Sequence, residues 1–323
     1  MSQEKIWGIL LHLTATMWPK GDPDSRDSYN NPNKEEVYRN CETNSYDPKL
    51  MDSLLEILPQ KGFNTVMLDV GNAVQYERHP EISQKEALTK DELKAMCDRI
   101  RALGIDPIPK LNFSCCHNPW LKKYSRMVGT EEYYQVTRDC IDEVVEIFGS
   151  SQYFHLGLDE ENPSMLGGYG FRNARFGHIW WRDAYRLFDH CEHHNIRPWV
   201  WSDIGWDYAD DFKKNMPKSV LQSNWFYPHF PNKDKEGHYL HHMCRFYQLL
   251  DEWGYDQVPT GSTWASLDNL DNTFDMCKNE LKDELVKGVL SAPWVDAKNE
   301  AYYILLQEAE LFQRAKEQYY PQD

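Results

Sequence analysis

Eight short apolar runs recur along the chain, each followed by a polar segment and then by an amphipathic stretch of a dozen or more residues. They read as strands at Trp7–Leu13, Thr65–Asp69, Asp106–Leu111, Tyr153–Leu158, Pro198–Trp201, Val220–Ser223, Val258–Gly261 and Gly288–Ser291. Most are apolar at nearly every position, as strands covered on both faces must be. Strands alternating with helices call for parallel βα units, and eight is the number that closes a barrel. An open doubly wound sheet has the same alternation but normally carries a glycine-rich phosphate turn after its first strand, and none stands here. The expected fold class is α/β, a single (β/α)8 TIM barrel over residues 1–323.

The intervening helices carry start and stop signals. Thr89-Lys90-Asp91-Glu92 is a capping box, after which Leu93, Met96, Cys97, Ile100 and Leu103 mark one face and Gly104 stops the helix. Asp47-Pro48 supplies a cap and a proline at the first helical position; Leu50, Leu54, Leu55 and Leu58 form the stripe, and Gly62 closes it. Thr130 similarly precedes a helix over Tyr133–Phe148. The polar segment Gly21–Asn44 reads as a long loop after the first strand, on the side where barrel sites are built.

Charge narrows the partners. With 51 acidic and 35 basic side chains the formal charge is −16, which repels nucleic-acid phosphates and anionic lipid, so a neutral substrate is expected and neither nucleic acid nor membrane. The first residues lack a basic leader and no run is long enough to span a bilayer, so a soluble, cytoplasmic protein is expected. The eight cysteines form no C-x-x-C pair or metal-finger spacing and read as reduced thiols; vicinal Cys115-Cys116 reads as packing rather than a redox pair. No cofactor and no metal are expected. Loops at Gly21–Asn44 and Asn162–Arg175 are long enough to reach a neighbouring subunit, which leaves a homo-oligomer open.

Barrel enzymes draw catalytic groups from the C-terminal ends of strands. Those ends carry His12 and Trp18, Asp69 with Asn72, Asn112 with His117, then His155, Asp159, Glu160 and Glu161. The later strands end at Trp201-Ser202-Asp203 with Trp206, Asn224-Trp225-Phe226-Tyr227, Thr263-Trp264, and Trp294 with Asp296. Trp thus follows five of the eight strands. Aromatic faces stack on the C–H patches of sugar rings, while acids and amides bind the hydroxyls, so this collection suggests a carbohydrate subsite. Trp180 and Trp181, inside a helix, read as packing.

The segment His155-Leu156-Gly157-Leu158-Asp159-Glu160 resembles the H-x-G-G-D-E motif of glycoside hydrolase family 20, the β-N-acetylhexosaminidases, with Leu158 in place of the second glycine. Trp199-Val200-Trp201-Ser202-Asp203 and Asn224-Trp225-Phe226-Tyr227 are similar to that family's fifth and sixth strands. The resemblance implies that Glu160 protonates the leaving oxygen and that Asp159 orients a 2-acetamido group, whose oxygen is the nucleophile. His12, Asp69, Asn112, His155, Trp201, Asp203, Trp225, Tyr227, Trp264 and Trp294 are the expected substrate-binding set. With the first strand beginning by Trp7, the family's separate N-terminal domain is not expected, and its first-strand arginine is missing, Arg26 in the following loop being the nearest.

Other mechanisms stay open at this stage. The seventh strand, Val258–Trp264, has no carboxylate to act as nucleophile, which leaves substrate assistance or a second carboxylate among Asp203, Asp69 and Asp159. Asp159 and Glu160 are sequential, so both serve one site only if the strand ends or bulges there. His12, His117, His155 and His229 with Asp69 and Glu160 would be the ligands of a metal-dependent sugar isomerase. A sugar-binding barrel without turnover is the third reading.

Overall fold

The computed structural model describes residues 5–14, 44–163, 173–230 and 240–322. Eight parallel strands follow one another around a single sheet: β1 (Ile6–His12), β2 (Thr65–Asp69), β3 (Asp106–Lys110), β4 (Tyr153–His155), β5 (Arg197–Trp201), β6 (Leu221–Ser223), β7 (Thr260–Gly261) and β8 (Gly288–Ser291). β8 returns to pair with β1, and Ile9 lies opposite Ser291. The last seam is shorter. There Gln222 N–H donates to Asp256 O, Val258 N–H to Gln222 O at 2.8 Å and Thr260 N–H to Asn224 O at 2.9 Å, joining β6 to β7 and completing the (β/α)8 ring.

The described helices are α1 (Pro48–Ile57), α2 (Lys90–Ala102), α3 (Glu131–Phe148), α4 (His178–His193), α5 (Ile204–Asp207), α6 (Ala209–Asn215), α7 (His241–Glu252), α8 (Asn269–Asn279) and α9 (Tyr302–Tyr319). Their starts follow the local chemistry. Asp47 accepts from Leu50 N–H, Thr89 and Glu92 form the reciprocal capping box, and Thr130 accepts from Tyr133 N–H. Each such cap contributes about 1 kcal/mol by satisfying an orphan amide. Gly62, at φ +81°, turns the chain out of the short 3-10 extension of α1 toward β2.

Strand parity separates two cores. Leu10, Met67, Ile108, Trp199, Leu221 and Leu290 fill the barrel interior, whereas Ile9, Leu11, Val66, Leu68, Val200 and Val289 pack outward against the helices. The same parity turns His12, Asp69, Lys110 and His155 inward at the C-terminal end, where the register sets His12 beside Asp69, Asp69 beside Lys110 and Lys110 beside His155. A charged layer therefore caps the apolar interior. Among the described residues no helix is long and apolar enough to cross a membrane.

Candidate active site

The site begins where β4 stops. Strand geometry ends at His155 rather than continuing to Leu158. Leu156 N–H still bonds Trp199 O and Trp201 N–H still bonds Gly157 O, but Gly157 and Leu158 both take φ +72°, and Glu160 takes +60°. This left-handed turn breaks the two-residue alternation, so that the consecutive Asp159 and Glu160 both line one cavity. Gly157 is obligatory: a Cβ there would stand 2.0 Å from Asn112 Oδ1 and 2.8 Å from Asn112 Cα. Leu158 is buried and holds a conformation that costs a non-glycine residue about 1–2 kcal/mol. Its place in the outer core offsets that strain.

The cavity, about 350 Å³, has two kinds of wall. His117, Asp159 and Glu160 form the polar one; Trp201, Trp225, Tyr227, Trp264 and Trp294 form the aromatic one. The rings support one another, since Trp225 stacks on Tyr227 at 5.2 Å and 17°, and Tyr227 meets Trp264 and Trp294 edge-on. Trp264 is 67% exposed and stands at the mouth.

Hydrogen bonds from neighbouring strands hold the acids. Asn112 Nδ2 donates to Asp159 Oδ1 at 2.8 Å, while Asn112 Oδ1 accepts the amides of Ser114 and Leu158. His117 Nε2 lies 3.0 Å from Glu160 Oε2 and 3.4 Å from Asp159 Oδ2. Burial works against an imidazolium at His117, but the charge of Asp159 and the bond to Glu160 outweigh it and raise the group to about 9. His117 thus joins the two acids on one wall. Asp203, wholly buried behind them, accepts Glu160 N–H at 2.7 Å and Asn162 Nδ2 at 2.9 Å, with Trp225 Nε1 at 3.4 Å from its other oxygen. Burial and then the charge of Asp159 push its carboxyl well above the usual range.

Of the twelve expected site residues, seven line the cavity: Asp159, Glu160, Trp201, Trp225, Tyr227, Trp264 and Trp294. Asn112 and Asp203 hold the acids in place from behind. His12, Asp69 and His155 do not line it: they point into the barrel at the level of Trp199, one layer below Trp201, whose inward side chain does reach the cavity. There Asp69 Oδ2 pairs with Lys110 Nζ and lies 3.3 Å from His12 Nδ1. Burial resists ionisation of Asp69, yet Lys110 and His12 prevail and lower it. His155, kept neutral by burial and by Lys110, accepts Gly157 N–H on Nδ1, so its proton sits on Nε2. The ring lies 4.5 Å from that of Trp201. The layer is therefore a floor beneath the aromatic wall rather than a set of sugar contacts. Trp18, Arg26 and the Gly21–Asn44 loop up to residue 43 lie outside the described residues.

Two supporting features escaped the sequence reading. Lys110 shares the inward parity of Ile108, a signal that could have placed it in the floor. Glu161, buried, receives Arg175 on both oxygens at 2.7 and 2.8 Å and Cys115 N–H at 2.7 Å, and Arg175 reaches on to Asp183 of α4. That network ties the acidic turn to its neighbours. Burial pushes the Cys115 thiol up, and Cys116 Sγ contacts Glu160 O at 3.2 Å, in keeping with packing at this pair.

No protein-family model matches the chain, and no curated protein matches it in sequence. Solved structures do. A β-N-acetylhexosaminidase from Bacteroides fragilis aligns over 95% of this chain and 65% of its own, with a TM-score of 0.60 at 12% identity. In fold the barrel is similar to that enzyme's. A chitobiase from Flavobacterium johnsoniae aligns over 84% of this chain and 46% of its own (TM-score 0.61, 16% identity), and Dispersin B over 84% and 94% (TM-score 0.56, 17% identity). At these identities the likeness is one of fold. The chain spans less than two thirds of the first two proteins.

Proposed function

We propose that this barrel is a glycoside hydrolase acting on a terminal β-linked 2-acetamido sugar, with Glu160 as general acid and base and Asp159 assisting the acetamido group. The carrying observation is the shared wall: Asp159 and Glu160 stand together, bridged by His117 and facing five aromatic rings across one cavity. In the first step Glu160 gives its proton to the glycosidic oxygen, which leaves with the electrons of the C1–O bond, while the acetamido oxygen attacks C1 to form a cyclic oxazolinium. Asp159 accepts the amide N–H and balances the positive charge. Glu160, now a carboxylate steadied by His117, then takes a proton from the water that attacks C1. The acetamido group is restored and the anomeric configuration retained.

The positions of the other carboxylates favour this route over an enzyme nucleophile. Asp203 is buried with its oxygens directed at N–H donors, and Asp69 is sealed below with Lys110. Neither lines the cavity. The isomerase reading loses support because His155 is buried in the floor, His229 is half exposed beside Asp268, and among the described residues only a different group has metal-ligand spacing. A binding barrel without turnover would not require a His-bridged acid pair.

The test is Glu160→Gln assayed on methylumbelliferyl and nitrophenyl N-acetyl-β-glucosaminides. Removing the proton donor costs about 10²–10⁴-fold. The loss should be smaller for nitrophenol, the better leaving group. Full activity of the variant overturns the role of Glu160, and activity confined to sugars with a 2-hydroxyl overturns substrate assistance.

A further inference from the structure

Away from the cavity, His190 stands in the last turn of α4 and His194, its C-cap residue, four positions on and so on the same side of the helix end. Both Nε2 atoms point at the same oxygen of Asp142 on α3, at 2.7 and 2.8 Å from Oδ1. Two imidazoles converging on one carboxylate oxygen is an arrangement that hydrogen bonding alone does not require.

We propose that Asp142, His190 and His194 bind a single divalent transition-metal ion of the zinc type, which staples α3 to α4. Each histidine now needs an Nε2 proton to reach Asp142; a cation takes the place of both protons and leaves two lone pairs directed at one point. With ligand bonds of about 2.0–2.1 Å, tetrahedral ligands stand roughly 3.3 Å apart, so each imidazole withdraws by only about 0.6 Å. The three side chains are 16–28% exposed, which lets them move and lets water fill the fourth position. Two nitrogen ligands select zinc, nickel or copper over magnesium and calcium.

The other oxygen of Asp142 is also fixed, by Arg78 Nη1 at 2.9 Å, the outer contact that orients a ligating carboxylate. Arg78 opposes a second cation, but it is shared with Asp139 at 2.8 Å, whose charge offsets it. The location assigns a role. α3 leads into β4 and α4 follows it, and the cluster lies toward the C-terminal ends of both helices. It therefore sits at the N-terminal face of the barrel, opposite the catalytic turn, where binding stabilises rather than catalyses.

The experiment titrates metal-free protein with Zn²⁺ and Co²⁺, following heat of binding, cobalt ligand-field absorption and thermal unfolding. One equivalent should bind, cobalt should show visible bands of low coordination number, and a hundredfold excess of Zn²⁺ over Kd should raise Tm by about 4 °C. Turnover of the aryl glycoside should be unchanged. The partly exposed His190→Ala and His194→Ala single variants should fold and lose the bands and the shift. No binding, or the same binding and shift in both variants, overturns the site; so does an equal response to Mg²⁺.

Discussion

Gly157→Ala probes how far one backbone position sets the whole acid pair. At φ +72° alanine incurs about 1–2 kcal/mol of left-handed strain. Its Cβ would also stand 2.0 Å from Asn112 Oδ1 and 2.8 Å from Asn112 Cα, so a rotamer change alone does not relieve the clash, and the end of β3 must move. Displacing Asn112 breaks its 2.8 Å bond to Asp159, worth about 1.5–3 kcal/mol for a charged acceptor. Together the variant should lose about 2.5–5 kcal/mol, read as a lowered urea midpoint at constant slope. A shift of the acids by about 1 Å should cut kcat/KM roughly 10²-fold in the folded protein, assayed at low temperature. Stability within ~0.5 kcal/mol of the parent, with unchanged turnover, would refute the argument that this glycine is held by contact with Asn112.

Three further outcomes follow from the same turn. Leu158→Gly places glycine where the family motif has it; relief of about 1–2 kcal/mol of strain is outweighed by about 2–5 kcal/mol for emptying a buried site, so urea denaturation should show a net loss, and a gain would contradict it. Arg175→Ala leaves Glu161 buried without its cation, while Asp183 keeps Arg182 and Tyr134, and should cost about 3–5 kcal/mol by the same assay, a loss below about 1 kcal/mol counting against the network. For His117, the folded group titrates at about 9 against 6.5 unfolded. Its stabilisation, about 3 kcal/mol, is therefore complete below pH 6.5 and lost as pH rises through 9. His117→Ala should flatten the urea midpoint over that window, and an unchanged slope sinks the assignment.

The barrel was legible because its evidence is local. Apolar runs of strand length gave β2 and β8 at their observed bounds, and Asp47, Thr89 and Thr130 announced helix starts through bonds made within three residues. What failed at β4 is equally physical. Leu156, Gly157 and Leu158 are apolar or small and read as strand, but hydrophobicity carries no information about the sign of φ, and a leucine in a glycine conformation gives no warning of itself. The acids could be named from a short motif, yet their environment comes from residues 43–47 positions away, Asn112 and His117 after β3 and Asp203 after β5. Once β3, β4 and β5 are parallel neighbours, groups just beyond their ends are bound to meet, so closing the barrel suffices to gather them. Which of them reach the cavity is decided by depth along the barrel and by the turn. His12, Asp69 and His155 stand one layer deeper in the barrel than Trp201, whereas Asp159 and Glu160 lie past the left-handed turn and reach the cavity. The departure from regular strand geometry is thus the feature that converts a buried charged layer into an accessible acid pair.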